Sequence, residues 1–286
     1  HETIKLAFAA GIKTVMITGD HVKTAKTIAK QIGLSDADGE VFDGQKLENM
    51  TDEELALAVP NISIFARVDP IHKIRIVRAF QASGEVVAMT GDGVNDAPAL
   101  KAADIGIALG SGTDVAKEIS DMVLLDDSYS TIVAAVEQGR AIYQNVKKVL
   151  LYLLASSFAE VGLIGGCIIA RLPLAVLPAQ ILWVNIIEDS FPNMALAFDK
   201  GDKENMSERP RKKNEPIIDN QMKIMIAIVT VVSNLVLFGL YIYFLRTIED
   251  FVYVRTLMFV GLGIASLIYI YSVRSMRLMV WQTNPL

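Results

Sequence analysis

The sequence predicts two structural classes in series: an α/β domain built on a parallel sheet, then an all-α bundle of transmembrane helices. Three observations lead there. Short apolar runs alternate with amphipathic stretches through the first half, the pattern of strands and covering helices. Long runs almost free of charge fill the second half. Turns rich in Asp and Gly directly follow several of the early apolar runs, where the ligands of parallel sheets gather. The chain of 286 residues is 52% hydrophobic, and its mean hydropathy of +0.39 is high for a soluble protein of that size.

The expected strands are "TVMI" (14–17), "SIFA" (63–66), "VVAM" (86–89), "IGIAL" (105–109) and "MVLL" (122–125). Between them lie helix patterns, "HVKTAKTIAKQIG" closed by Gly33 and "IHKIRIVRAFQASG" closed by Gly84. Thr51 and Glu54 in "TDEEL" have the spacing of a capping box. One parallel sheet covered on both faces is expected, within a domain over 1–135. His1 opens inside a pattern already under way, so the chain reads as a piece of something longer, with no targeting segment. The net charge of −5 gives no reason to expect nucleic acid as a partner. The single Cys167 excludes a disulfide framework and a cysteine metal site.

Four apolar segments are each long enough to cross a hydrocarbon core of about 30 Å: 149–170, 172–198, 222–245 and 251–273. A stalk over 136–148 precedes them, a linker over 199–221 divides them, and a tail over 274–286 follows. Neither Gly nor Pro interrupts the sequence between Gly139 and the first span, so one continuous helix is expected to run from the stalk into it. Lysines and arginines concentrate at 147–148, in the linker and at 274–277, which places the α/β domain, linker and tail on the cytosolic side.

After "TVMI" come Thr18, Gly19 and Asp20; after "VVAM" come Asp92, Asn95 and Asp96; the segment after "SIFA" delivers Lys73. Brought to one rim of the sheet, the carboxylates suit a hard cation such as Mg2+. The hydroxyl, the glycine amides and the lysine suit a phosphoryl group. Within the spans, charged groups are costly and point to function. Glu160 shares a helix face with Ser157, and Asn185, Glu188 and Asp189 share another at i, i+3 and i+4. Pro192 denies the carbonyl of Glu188 its helical donor and is expected to open the helix there, giving a cage of oxygens for a cation.

The stretches "MITGDH" (16–21), "FARVDPIHK" (65–73), "MTGDGVNDAPALKAADIGIALGSGTDVAKEISDMVLLDD" (89–127) and "ILWVNIIEDSFPNMALAFD" (181–199) resemble the C-terminal part of P-type cation-transporting ATPases, the branch that includes calcium and sodium/potassium pumps. The resemblance implies a partial phosphorylation domain of the haloacid-dehalogenase-like, Rossmann-type fold. It implies an enzyme that uses ATP and Mg2+, in which ATP phosphorylates an aspartate and the cycle opens an ion site alternately to each side. Asp92 is then the Mg2+ ligand, with Asn95 and Asp96 around the phosphate. Thr18, Gly19 and Asp20 form the phosphate-holding turn, and Lys73 neutralises the phosphoryl group. Glu160, Asn185 and Asp189 match positions that bind ions in calcium pumps. Ser157 and Glu188 stand where pumps of the two-site type have Asn and Thr, and the last span carries no carboxylate. These departures imply one divalent ion with protons returned.

The Asp-Lys-Thr-Gly-Thr nucleophile motif is absent, as are the nucleotide domain and other N-terminal domains of such pumps, so this chain alone is expected to be inactive. Ca2+ export across a cell membrane is the expected activity. A Na+/K+ or H+ pump, or a membrane-anchored phosphatase of the same fold, are the alternatives.

Overall fold

The computed structural model describes residues 1–34, 39–200, 203–211, 213 and 215–273; the side chains at 188, 189, 203 and 204, and the expected tail over 274–286, lie outside that description. The chain divides into two compact units, His1–Gly139 with Lys203–Glu215, and Arg140–Asp202 with Pro216–Leu286.

In the first unit the helices are α1 (Glu2–Ala9), α2 (Val22–Ile32), α3 (Gly44–Glu48), α4 (Asp52–Ala58), α5 (Pro70–Ala82), α6 (Ala97–Ala102) and α7 (Asp114–Ile119). The strands are β1 (Met16–Ile17), β2 (Val41–Asp43), β3 (Ile64–Ala66), β4 (Ala88–Gly91), β5 (Ile105–Leu109) and β6 (Met122–Leu124). All pairings are parallel, as the alternation of strand and helix predicts. In place of the one expected sheet there are two of three strands, ordered β1-β3-β2 and β4-β5-β6. β1 and β4 each end their sheet. Even so, Ile17 of β1 packs against the cluster of Met89, Val77, Leu100 and Ala108 that lies under β4 and β5.

β2 was not expected; its three residues are too few to show a period. β4 begins two residues later than its apolar run, because the Val87 amide donates to Asp104 Oδ2 (3.0 Å) instead of to the ladder. Helix signals hold more closely. Thr51 and Glu54 make both bonds of the capping box. Gly33 closes α2 at φ 77°, a left-handed conformation open to glycine at little cost. The core under β3 holds Phe65, Leu47, Leu55 and Val59 with no exposed surface. Each such side chain contributes about 1.5–3 kcal/mol by leaving water.

The second unit holds most of α8 (Tyr129–Ile169), with α9 (Pro178–Ala197), α10 (Asn220–Thr247) and α11 (Phe251–Val273). The unit boundary falls inside α8, whose 41 residues form one continuous helix, as the stretch without Gly or Pro between Gly139 and the first span leads us to expect. α9 starts six residues later than the apolar run from 172. Pro173 and Pro178 explain this: a residue before proline is driven to extended backbone, as Leu177 is, and proline suits the first helical turn. Pro192 does not interrupt α9, contrary to expectation; the helix runs through it to Ala197.

Among the described residues three helices, α8, α10 and α11, are long and apolar enough to cross a membrane. All four helices turn large apolar side chains outward, including Trp183, Phe191 and Met194 on α9 and Ile228, Val231 and Leu235 on α10. Such a surface suits hydrocarbon rather than water.

Candidate functional site

In the first unit the site is built at the carboxyl ends of β1, β3 and β4. The β1–β3 pairing continues one step beyond β1, where the Thr18 amide donates to Phe65 O (2.9 Å). The turn of Thr18, Gly19 and Asp20 is then stitched to the segment after β3: the Arg67 amide donates to Asp20 O (3.0 Å), and the Val68 amide to Thr18 O (3.3 Å). Thr18 Oγ1 accepts from the Asp20 amide at 3.1 Å. Arg67 holds φ at 50°, which costs a side-chain-bearing residue about 1–2 kcal/mol. Sequence reasoning did not select Arg67. A left-handed non-glycine residue has no signature in composition or period.

α5 begins just beyond. The Asp69 amide donates to Nδ1 of the buried His72 (3.1 Å), fixing the first turn, and Lys73 follows. From there Lys73 Nζ reaches Asp96 Oδ1 as an ion pair. Asp96 sits at the entry to α6 and is 8% exposed. A Cβ placed on Gly91 would lie 2.5 Å from the Asp96 Cβ, so the close approach of strand end and carboxylate requires glycine. Asp92 and Asn95 are exposed. The Asp92 carbonyl accepts from the Thr113 amide at 2.8 Å, which ties the β4 loop to the loop after β5.

The structure brings Lys73 and Asp96 into contact; it ties the Thr18–Asp20 turn to the segment before α5 and leaves Asp92 and Asn95 exposed on the loop after β4. No three His, Cys, Asp or Glu side chains among the described residues gather into a closed metal cluster. An open position with one or two carboxylates fits Mg2+, which keeps several waters and shares its ligands with a substrate phosphate. Asp104, away from the rim, is held by structural bonds. Lys213 donates to Asp104 Oδ1 (2.8 Å), and Val87 and Gln81 donate to its Oδ2, so the carboxyl is held below the usual carboxylate range, chiefly by Lys213.

In the second unit Glu160 is buried and Asn185 half-buried. Ser157 is exposed; Ser156 is the neighbour that turns inward. With Ser233, Ser266 and Tyr269, Ser156 lines a cavity of about 20 Å³ between α8, α10 and α11, room for one water. Glu188 and Asp189 lie on α9, with their side chains outside the described residues. Helices α8 and α9 run antiparallel. Leu151 shares a buried cluster with Leu196, and Leu163 shares another with Val184. Each pair of positions is twelve residues apart on its own helix, or about 18 Å. Glu160, three residues before Leu163, is thereby level with the stretch of α9 between Asn185 and Glu188.

Sequence profiles agree with this layout. One described as haloacid dehalogenase-like hydrolase matches residues 1–104, a second of that description matches 74–136, and one described as cation transporting ATPase, C-terminus, matches 173–286. The chain is 42% identical to a calcium-transporting ATPase of Bacillus subtilis (strain 168), over 99% of this chain and 32% of the relative. It is 43% identical to the cation-transporting ATPase pma1 of Synechocystis, over 92% of this chain and 29% of that protein. It is 44% identical to the endoplasmic reticulum calcium ATPase srcA of Aspergillus fumigatus, over 83% of this chain and 25% of that protein. The chain thus spans about a third or less of the length of these relatives.

Proposed function

We propose, from the premise that this chain belongs to the P-type cation-transporting ATPases, that it supplies the magnesium and phosphate rim and part of the cation path of an ATP-driven Ca2+ pump. The observation that carries the reading is the Lys73–Asp96 ion pair, which draws the lysine of one motif to the aspartate of another at the end of β4. At this rim Lys73 neutralises phosphoryl charge, and the amides of the Thr18–Asp20 turn orient the oxygens. Asp92, with Asp96 near it, would hold Mg2+, which when bound withdraws charge from the phosphoryl oxygens.

The phosphorylated aspartate comes from outside these residues. β1 and β4 are both terminal strands, and a further parallel strand between them would end at this same rim. That arrangement supports an aspartyl-phosphate mechanism in which Thr18, Asp20, Lys73, Asn95 and Asp96 assist a nucleophile they do not provide. In the membrane, Glu160 and the Asn185, Glu188 and Asp189 row offer oxygen ligands at one depth. Oxygen-only ligands favour Ca2+ over transition metals. A carboxylate at that depth is eased by a bound cation or by a proton, which supports proton return when the site empties. The basic residues flanking the spans support a cytosolic rim in a cell membrane.

The test uses a complete pump that carries these residues. Asp92→Asn should abolish Mg2+-dependent phosphoenzyme turnover. Glu160→Gln should raise the Ca2+ concentration for half-activation about tenfold or more, yet leave phosphorylation from inorganic phosphate intact. Normal turnover in the first variant, or unchanged Ca2+ activation in the second, would overturn the corresponding half of the reading. Activation by Na+ or K+ instead would keep the site and change the ion.

A further inference from the structure

One end of the second unit is held by buried charge that the cation site does not use. Lys148 on α8 is 1% exposed, yet it is a lysine, a side chain almost never fully buried without a partner. Its Nζ donates to Asp199 Oδ2 at 2.9 Å, two residues beyond the end of α9. One turn earlier on the same face, the Asn145 amide nitrogen donates to Ala197 O (3.1 Å) and Asp199 O (2.7 Å). The last carbonyls of a helix have no partner inside it, and here α8 supplies one. Beside this pair, Lys147 Nζ donates to Asp219 Oδ2 (2.5 Å), while Oδ1 of the same carboxylate caps α10 through the Met222 amide (2.8 Å). Three side chains within one turn of α8 thus grip the end of α9 and the start of α10.

From these contacts we infer that Asn145, Lys148 and Asp199 form a clasp that fixes the axial register of α9 against α8. Asn145, Lys148 and Asp199 are positioning residues for the cation site, and the inference rests on the reading of that site given above. The geometry supplies the reason. Lys148 stands twelve residues before Glu160 on α8, and Ala197 twelve residues after Asn185 on antiparallel α9. Both arms are therefore about 18 Å long. A clasp at one end of two equal arms sets where the ligands meet at the other. The apolar clusters between, one holding Leu151 and Leu196 and the other Leu163 and Val184, have no direction of their own and tolerate sliding. A charged hydrogen bond and a bifurcated amide do not. Burial makes the clasp stiff, because separating Lys148 from Asp199 strands a charge away from water.

The test has two arms. In this chain, reconstituted in lipid nanodiscs, spin labels at the exposed positions Phe158 on α8 and Ile186 on α9 report the distance between the helices. Wild type should give one narrow distance. Asn145→Ala, which strands no charge, and Asp199→Asn should broaden it or shift it by about one residue rise of 1.5 Å. The exchange Lys148→Asp with Asp199→Lys should restore it. In the complete pump, the same variants should raise the Ca2+ needed for half-activation by about tenfold, counted on the fraction that inorganic phosphate still phosphorylates, and the exchange should recover it. Unchanged distances in both single variants overturn the clasp, whatever the pump does. Altered distances with unchanged Ca2+ activation overturn its positioning role, provided Glu160→Gln shifts activation. If Glu160→Gln leaves activation unchanged, the cation-site reading fails and the positioning role with it, while the spin-label distances still decide the clasp.

Discussion

Gly91 and Asp104 show how single residues hold the rim in place. Gly91 leaves room for Asp96, and any Cβ there meets the Asp96 side chain at 2.5 to 3.0 Å. Gly91→Ala should cost about 1–3 kcal/mol by overpacking and push Asp96 off Lys73. A thermal unfolding scan of the purified protein checks the first effect, and a midpoint equal to wild type refutes it. Asp104 carries a pH signature. Its folded pKa is depressed, chiefly by Lys213, so its stabilisation is present above the unfolded value and is lost as pH falls through the folded one. The gap in unfolding midpoint between wild type and Asp104→Asn should be full above about pH 4 and narrow below it. A gap of constant size from neutral pH into that acid range excludes this linkage.

At the scale of elements, stability and chemistry separate. α4 is started by the Thr51–Glu54 capping box, on exposed surface and on none of the strands that end at the rim. Thr51→Ala should therefore cost about 1 kcal/mol and leave phosphorylation from inorganic phosphate in the complete pump unchanged. A fall in phosphorylation at a temperature where the variant is folded would show that α4 reaches the site. The strands behave differently. β1 has two residues and β3 three, so their ladders contribute little; what positions the rim is the set of bonds just past their ends, from Thr18, Arg67 and Val68.

For the molecule as a whole, the two sheets and the absent nucleophile make one prediction. Incubated with labelled ATP and Mg2+, this chain should incorporate no acid-stable phosphate, because in the proposed reading Lys73, Asp92 and Asp96 only assist a nucleophile. Specific incorporation would place a phosphorylated carboxylate within these 286 residues and overturn the reading.

Much of this protein is written locally. Parallel strands alternating with helices, the capping box and the unbroken passage from stalk to first span follow from periodicity and breakers, which act within a turn or two of chain. The Gly and Asp turns after β1 and β4 were legible as candidates, because ligands of parallel sheets gather beyond strand ends. The rest depends on partners far away in sequence. Nothing local says that β1 and β4 end two separate sheets, since pairing is a property of two strands. Proline chemistry alone could not show that α9 runs through Pro192; neighbours decide whether a helix tolerates it. Of adjacent serines 156 and 157, packing turned the first inward and left the second exposed. Lys148 reads as an ordinary cationic flank of a membrane span, and its burial became visible only when the fold brought Asp199, fifty-one positions away, to within 2.9 Å.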